Sequence, residues 1–211
     1  MEVPRRSLWR TDARTLSRLL LGLWLFGAGD ALLVLAAFGN APWTVLAEGA
    51  SKQTGAGIGA WTIVISFLVL LAWIPLRQPP GLGTVLNAIV VGLAIAVTLR
   101  LLEEPEALVV RLMAVLIAIA LVGIGSGLYL TSRLGPGPRD GLMTGLHERT
   151  GKSLRLIRTS LEVLVTLAGV ALGGTVGIGT IAFALLIGPA VQLFVRLGGG
   201  LEHPAGMHPA G

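Results

Sequence analysis

The chain has no cysteine, which excludes disulfides, thiol nucleophiles and cysteine-held metals. Charge is sparse: only 13% of the 211 residues are Asp, Glu, Lys or Arg, with 11 acidic residues against 16 basic ones. No Ser/His/Asp grouping, paired acid set, Walker loop or His-Glu-x-x-His string is visible, so the chain is expected not to be an enzyme. His147, His203 and His208 lack metal-ligand spacing with other ligands, and no metal or cofactor is expected. What is abundant is apolar. The chain is 54% hydrophobic with a mean hydropathy of +0.82, and the apolar residues come in long blocks. A soluble domain of this size cannot hide that much apolar surface, and the blocks read as membrane-spanning helices.

Six spans are expected: Leu16 to Phe38, Ile58 to Leu76, Thr84 to Leu99, Leu108 to Leu130, Leu156 to Leu172 and Thr180 to Leu197. The third and sixth are short for a bilayer that needs about 20 residues. Basic residues set the direction. With the N-terminus in the cytosol, thirteen of the sixteen Lys and Arg residues fall inside, six of them between 131 and 158. Only Lys52, Arg100 and Arg111 fall outside. This bias predicts cytosolic N- and C-termini and accounts for the net charge of +5 without nucleic acid. A cleaved signal peptide is the rival reading of the start. Asp30 within the first apolar run, and that run's match to the fourth span, oppose it.

Sliding the sequence by 96 positions superimposes its halves without a gap. Gly27 and Gly29 fall on Gly123 and Gly125, Gly39 and Pro42 on Gly135 and Pro138, and Gly81-x-Gly83-Thr84 on Gly177-x-Gly179-Thr180. Matches at Gly, Pro and Thr carry weight because these residues fix backbone geometry. The expected organisation is a basic segment at 1–15, a first three-helix repeat at 16–100, a second at 101–197 and a disordered Gly/Pro-rich tail at 198–211. An odd number of spans per copy makes the second copy enter the bilayer from the opposite side. The fold class is therefore an all-α membrane protein with a 3+3 inverted-topology repeat, an architecture that places sites near the midplane.

Each copy also has a loop where proline stands at a helix start and glycine at its stop: Pro42 with Gly55, and Pro138 with Gly151. A short amphipathic helix is expected in each, either anchoring the loop at the interface or re-entering the membrane to line a cavity. Trp43-Thr44 in the first copy stands opposite Arg139-Asp140 in the second. Trp43, Arg139 and Asp140 are gate candidates, with an exposed Arg139–Asp140 ion pair as the plain alternative. The Gly-x-Gly-Thr strings precede two spans. Gly83, Thr84, Gly179 and Thr180 offer either helix N-termini for anionic groups or tight turns for close packing.

Asp30 is the outstanding single residue, about 12 residues and about 18 Å into the first span. An ionised carboxylate there is costly unless paired or wet, which makes it a coupling or cation-binding candidate. Asn87 and Ser126, the latter its own repeat equivalent, are its expected partners. Gln192 is a weaker interior candidate. Glu162 reads as a helix-surface partner of Arg158, and Glu103, Glu104 and Glu106 as a solvated outer loop.

Gly39-x-x-Pro42-Trp43, Pro80-Gly81-Leu82-Gly83-Thr84, the string from Gly135 to Leu142 and Gly177-Ile178-Gly179-Thr180 together resemble the YczE/YyaS/YitT family of bacterial integral membrane proteins, nearest its YczE-like branch. The resemblance covers roughly residues 15–197. It implies a multi-pass protein of the bacterial inner membrane and no established reaction or substrate. The soluble C-terminal domain of larger YitT-like members is not expected here.

The expected function is a small secondary transporter or exporter of an unidentified small solute, with proton coupling as one option and a midplane site between the copies. A non-transport scaffold that assists another protein is the alternative, and a channel ranks last. The expected partners are the lipid bilayer and that solute, and a homodimer is compatible with the sequence.

Overall fold

Helix boundaries follow the capping residues that the sequence supplies. In the computed structural model, which describes residues 8–197, the chain forms α1 (Ala13–Ala36), α2 (Pro42–Thr54), α3 (Ile58–Leu76), α4 (Leu82–Leu101), α5 (Leu108–Leu130), α6 (Pro138–Thr150), α7 (Leu154–Ala171) and α8 (Ile178–Leu197). The expected tail at 198–211 and the first basic residues, Arg5 and Arg6, lie outside the described residues. Asp12 caps α1 by accepting the Thr15 N–H at 2.9 Å. Pro42 and Pro138 open the short helices where their missing N–H costs nothing, and Gly55 and Gly151 close them in the left-handed conformation. Each of α2, α3, α4 begins 96 positions before α6, α7, α8 respectively.

Five helices (α1, α3, α4, α5 and α8) are long and apolar enough to cross a membrane. The span expected at Leu156 to Leu172 is a helix, α7, but it is not among the five, because Arg155, Arg158 and Glu162 occupy its first half. The spans expected to be short are not: α4 and α8 run 20 residues each, about 30 Å by helical rise, because each starts two residues before its threonine and α4 also runs on to Leu101.

The centre is the antiparallel pair α1 and α5. A Cβ on Gly22 would lie 2.8 Å from the Gly125 carbonyl oxygen, and one on Gly29 would lie 2.8 Å from that of Ala118. The contacts are reciprocal under the 96-residue shift. Gly29 faces Ala118 and Val122, and its equivalent Gly125 faces Gly22 and Phe26. Gly27 faces Ala94 of α4, and Gly123 faces Ala190 of α8. The same contacts thus recur at equivalent positions of the two halves.

The halves also interlock. The α2 helix packs on α7, where Gly49 meets Gly169, and α6 packs on α3, where the ring of Trp73 covers Gly141. Trp73 Nε1 donates to the Pro138 carbonyl at 3.0 Å. The Gly83 N–H donates to the Leu134 carbonyl and the Gly179 N–H to that of Phe38, each at 2.8 Å. The segments 16–100 and 101–197 thus share one core, with α2 buried around most of its circumference rather than lying on a surface.

The symmetry breaks at one seam. Gly59 of α3 and Gly92 of α4 approach closely, a Cβ on Gly59 falling 2.3 Å from the Gly92 carbonyl oxygen. At the equivalent place α7 carries Arg155 and α8 carries Gly188, and a Cβ on Gly188 would meet nothing within 4 Å. The close approach of the first pair is therefore not repeated in the second, where the α7 position equivalent to Gly59 is an exposed arginine.

Gly125→Ala puts a methyl group onto the backbone of α1, and we expect about 1–3 kcal/mol of destabilisation, read as a lowered thermal midpoint in detergent. Gly57→Ala, where a Cβ meets open space and φ is ordinary, is expected to leave the midpoint unchanged.

Candidate functional site

A cavity of about 290 Å³ lies between α1, α5 and the N-terminal ends of α2 and α6. Its walls come in equivalent pairs: Phe26 with Val122, Asp30 with Ser126, Trp43 with Arg139, and Thr62 and Ser66 with Arg158 and Glu162. The first half contributes neutral side chains at the last three of these positions and the second half contributes charged ones. Asn87 and Gln192 complete the polar lining, and Phe183, Ile187 and Val191 of α8 form an apolar flank.

Of the residues singled out in the sequence, Asp30, Asn87, Ser126, Gln192, Trp43, Arg139 and Asp140 all line this cavity. Gly83, Thr84, Gly179 and Thr180 do not. Their polar groups hold the crossing segments instead: the Thr84 hydroxyl donates to the Pro136 carbonyl at 2.7 Å and accepts the Gly81 N–H at 3.1 Å. The Thr180 hydroxyl accepts the Gly177 N–H at 3.2 Å.

Asp30 sits six residues before the end of α1, about 9 Å from it by helical rise, because α1 ends at Ala36 and not at Phe38. It is 1% exposed. Its hydrogen-bond partner is neither Asn87 nor Ser126 but Thr44, whose hydroxyl donates to Oδ2 at 3.3 Å. Asp30 Oδ1 has no partner among the described residues. Burying half a carboxylate unsatisfied is costly unless something in the adjoining space completes it.

Arg139 and Asp140 do not pair with each other. Asp140 Oδ2 accepts the Tyr129 hydroxyl, and the same hydroxyl accepts the Gly137 N–H at 3.3 Å. The Arg139 guanidinium lies over the Trp43 ring, 5.2 Å from its centroid, and makes no hydrogen bond or ion pair among the described residues. Trp43 and Arg139 are equivalent positions, and their contact brings the starts of the two short helices together at the cavity. The first residues of both helices line the same space, which brings two positive dipole ends close to it. The Arg158–Glu162 pair forms as the spacing predicts, at 2.9 Å, and it lines the cavity as well as the helix surface. Arg158, Asp140 and Gln192 are the exposed lining residues. They place the mouth at the end of the molecule that carries residues 131–153, beside the open α7–α8 seam.

The opposite end is tied shut by a cluster that the sequence did not announce. Glu48 of α2 is buried. Its carboxylate accepts from Asn40 Nδ2 at 2.7 Å, from the Thr175 N–H at 2.6 Å and from the Thr175 hydroxyl at 2.7 Å, and it pairs with Lys52 at 2.6 Å. Lys52 also reaches the Gly173 carbonyl at 2.9 Å. Burial pushes the Glu48 carboxyl up, but the hydrogen bonds from Lys52 and Thr175 outweigh it and hold it below its ordinary value. Arg111 adds a second tie, donating to the Ala36 and Ala37 carbonyls and lying over Phe38. At the mouth the corresponding contacts are exposed: Gln78 with Glu148, and Arg149 with the Pro75 carbonyl. Glu48 stands opposite Thr144 in the repeat, and an acid in a loop helix gives no sign in the sequence that it will be buried.

A bundle of long apolar helices, five of them able to cross a membrane among the described residues, defines an integral membrane protein. Residues 13–196 match the model of a family of unknown function, DUF6198, and the chain belongs to that family. It is similar to an uncharacterized protein of Haemophilus influenzae, with 47% identity over 197 residues, covering 93% of this chain and 90% of that protein. It is also similar to the uncharacterized membrane protein YczE of Bacillus subtilis, with 30% identity over 79% of each chain. YyaS of the same organism is 25% identical over 84% of this chain and 90% of its own length. The YczE/YyaS resemblance read from the loop motifs is thereby established. No solved structure matches.

Glu48→Gln is expected to cost about 1–3 kcal/mol of stability, since it leaves buried donors without their charged acceptor. Because its folded-state carboxyl lies below the ordinary 4.5, the Glu48 contribution is complete above that value and is lost as pH falls through the lowered one. Thermal midpoints measured from pH 7 down to pH 3 should fall in the wild type and fall less steeply in Glu48→Gln.

Proposed function

We propose that this chain is a small secondary transporter or exporter of the bacterial inner membrane. In this reading it is built as a 3+3 inverted repeat with cytosolic termini, and it is not an enzyme. The observation that carries the reading is the cavity between the halves, largely apolar in its walls but reaching a buried carboxylate and an arginine. A scaffold that merely assists another protein has no need of such a space, and a channel is disfavoured because the cavity is open at one end and tied at the other.

Three further features support the reading. The reciprocal contacts of α1 with α5 fit copies related by an axis in the membrane plane. The starts of α2 and α6 face protein and cavity, the condition for re-entrant helices. The closed α3–α4 seam and the open α7–α8 seam are two packings of equivalent helices. Exchanging them turns the mouth from the cytosolic face to the outer one. Gly188-Pro189 supplies a hinge for that exchange, because Pro189 removes a backbone hydrogen bond from the middle of α8. Asp30 carries either the coupling proton or a cationic group of the solute.

Flux of a small-solute panel into proteoliposomes tests the reading directly. A transported solute should lose about tenfold or more of its flux in Asp30→Asn, the effect of about 1.4 kcal/mol. Absence of flux for every solute would favour the scaffold.

The absence of cysteine makes single-cysteine labelling clean. Ala56 and Lys152 are equivalent, exposed loop positions. We expect Ala56→Cys to react with an impermeant maleimide on intact cells and Lys152→Cys to react only after permeabilisation. Labelling of both on one face would remove the inverted arrangement.

A further inference from the structure

We propose that the cavity binds a zwitterionic group, its anionic end held by Arg139 and its cationic end by Asp30. The proposal deepens the transporter reading by naming the class of solute, and it rests on that reading only for what happens to the ligand after it binds.

Two groups of opposite charge line one small cavity, and neither is satisfied by the protein. Asp30 is 1% exposed, spends Oδ2 on Thr44 and leaves Oδ1 without a partner among the described residues. Arg139 lies over the face of Trp43 and feels the charges of Asp30 and Asp140 through space, but it makes no hydrogen bond or ion pair among the described residues. Were the two meant only to neutralise each other, they would pair, since a separated buried pair keeps both desolvation costs and little of the attraction. No Arg139–Asp30 ion pair forms within 4 Å, and the cavity they both line is the space available to a ligand.

A lone cation would satisfy Asp30 and leave Arg139 uncompensated. A lone anion would do the reverse. One molecule with both ends satisfies both at once. The positive ends of α2 and α6 reinforce the anionic end near Arg139, while Asn87 and Ser126 line the same cavity and offer neutral hydrogen bonds. A volume of about 290 Å³ lies at the small limit for ligand sites and fits a compact polar molecule. Free amino-carboxylates have this chemistry. So does the phosphoethanolamine head of a membrane lipid, for which the open α7–α8 seam offers lateral access.

The full chain, purified in detergent, is assayed for its thermal unfolding midpoint with glycine, β-alanine and 4-aminobutyrate, a series that lengthens the separation between ammonium and carboxylate. Acetate and methylamine at equal concentration and ionic strength are the single-charge controls, and glycerophosphoethanolamine is the lipid-headgroup arm. At least one zwitterion is expected to raise the midpoint while neither single ion does. Asp30→Asn and Arg139→Gln should each weaken the apparent affinity about tenfold or more. A rise given by an amino-carboxylate assigns the site to a free solute, and a rise confined to glycerophosphoethanolamine assigns it to a lipid head. No rise from any zwitterion, an equal rise from acetate or methylamine, or an undiminished rise in either variant overturns the proposal. Should a variant fail to fold, the comparison of zwitterions with single ions on the wild type decides alone. Binding without flux in proteoliposomes keeps this site and removes the transporter reading, whereas flux without zwitterion-dependent stabilisation does the opposite.

Discussion

The contact of α1 with α5 is made by backbone against backbone. Gly22, Gly29 and Gly125 leave no room for even a methyl group between the helices. In hydrocarbon the helices gain nothing from hiding apolar surface, so association rests on close van der Waals packing and on hydrogen bonds between segments. Small residues are the means. From this pair, α4 docks on α1 through Gly27 and Ala94, and α8 docks on α5 through Gly123 and Ala190. The remaining helices take their positions from these four, and the space left between the halves becomes the cavity.

Polarity is distributed over that frame unevenly, and the unevenness is where function is to be sought. One end is tied by a buried carboxylate with its donors supplied from two segments, and by an arginine that reaches two carbonyls. The other end is held by exposed contacts of the kind that contribute little. The close Gly59–Gly92 contact of α3 with α4 has no counterpart between α7 and α8, where Arg155 and Gly188 stand at the equivalent positions. In the transporter reading we propose, this arrangement is one of two packings open to the duplicated helices. That is the physical content of the alternating-access mechanism we propose.

Much of this was legible in the chain. The 96-residue repeat named the element order, since Pro42 with Gly55 and Pro138 with Gly151 bracket helices whatever surrounds them. Asp30, Ser126, Asn87, Trp43 and Arg139 were visible as polar or bulky residues out of keeping with their apolar or symmetric context, and the fold brings them to one cavity. The Gly-x-Gly-Thr strings were legible as helix starts but not in purpose. Whether a free N–H faces a ligand or a carbonyl 50 or more positions distant depends on what packs there, and here it is Leu134 and Phe38. Asp30's partner was misjudged for the same reason: Thr44 is brought to it by the turn between α1 and α2.

The sequence alone determined the elements, their apolar character and their duplication, because caps, hydropathy and the spacing of Gly and Pro act over a few residues. Tertiary structure decided that each short helix packs on the other half's long helix, that Glu48 is buried, that α7 and α8 stand apart, and that Asp30 and Arg139 share a space without meeting. These outcomes depend on steric fit and on the pairing of polar groups far apart in the chain. No local pattern encodes such pairing.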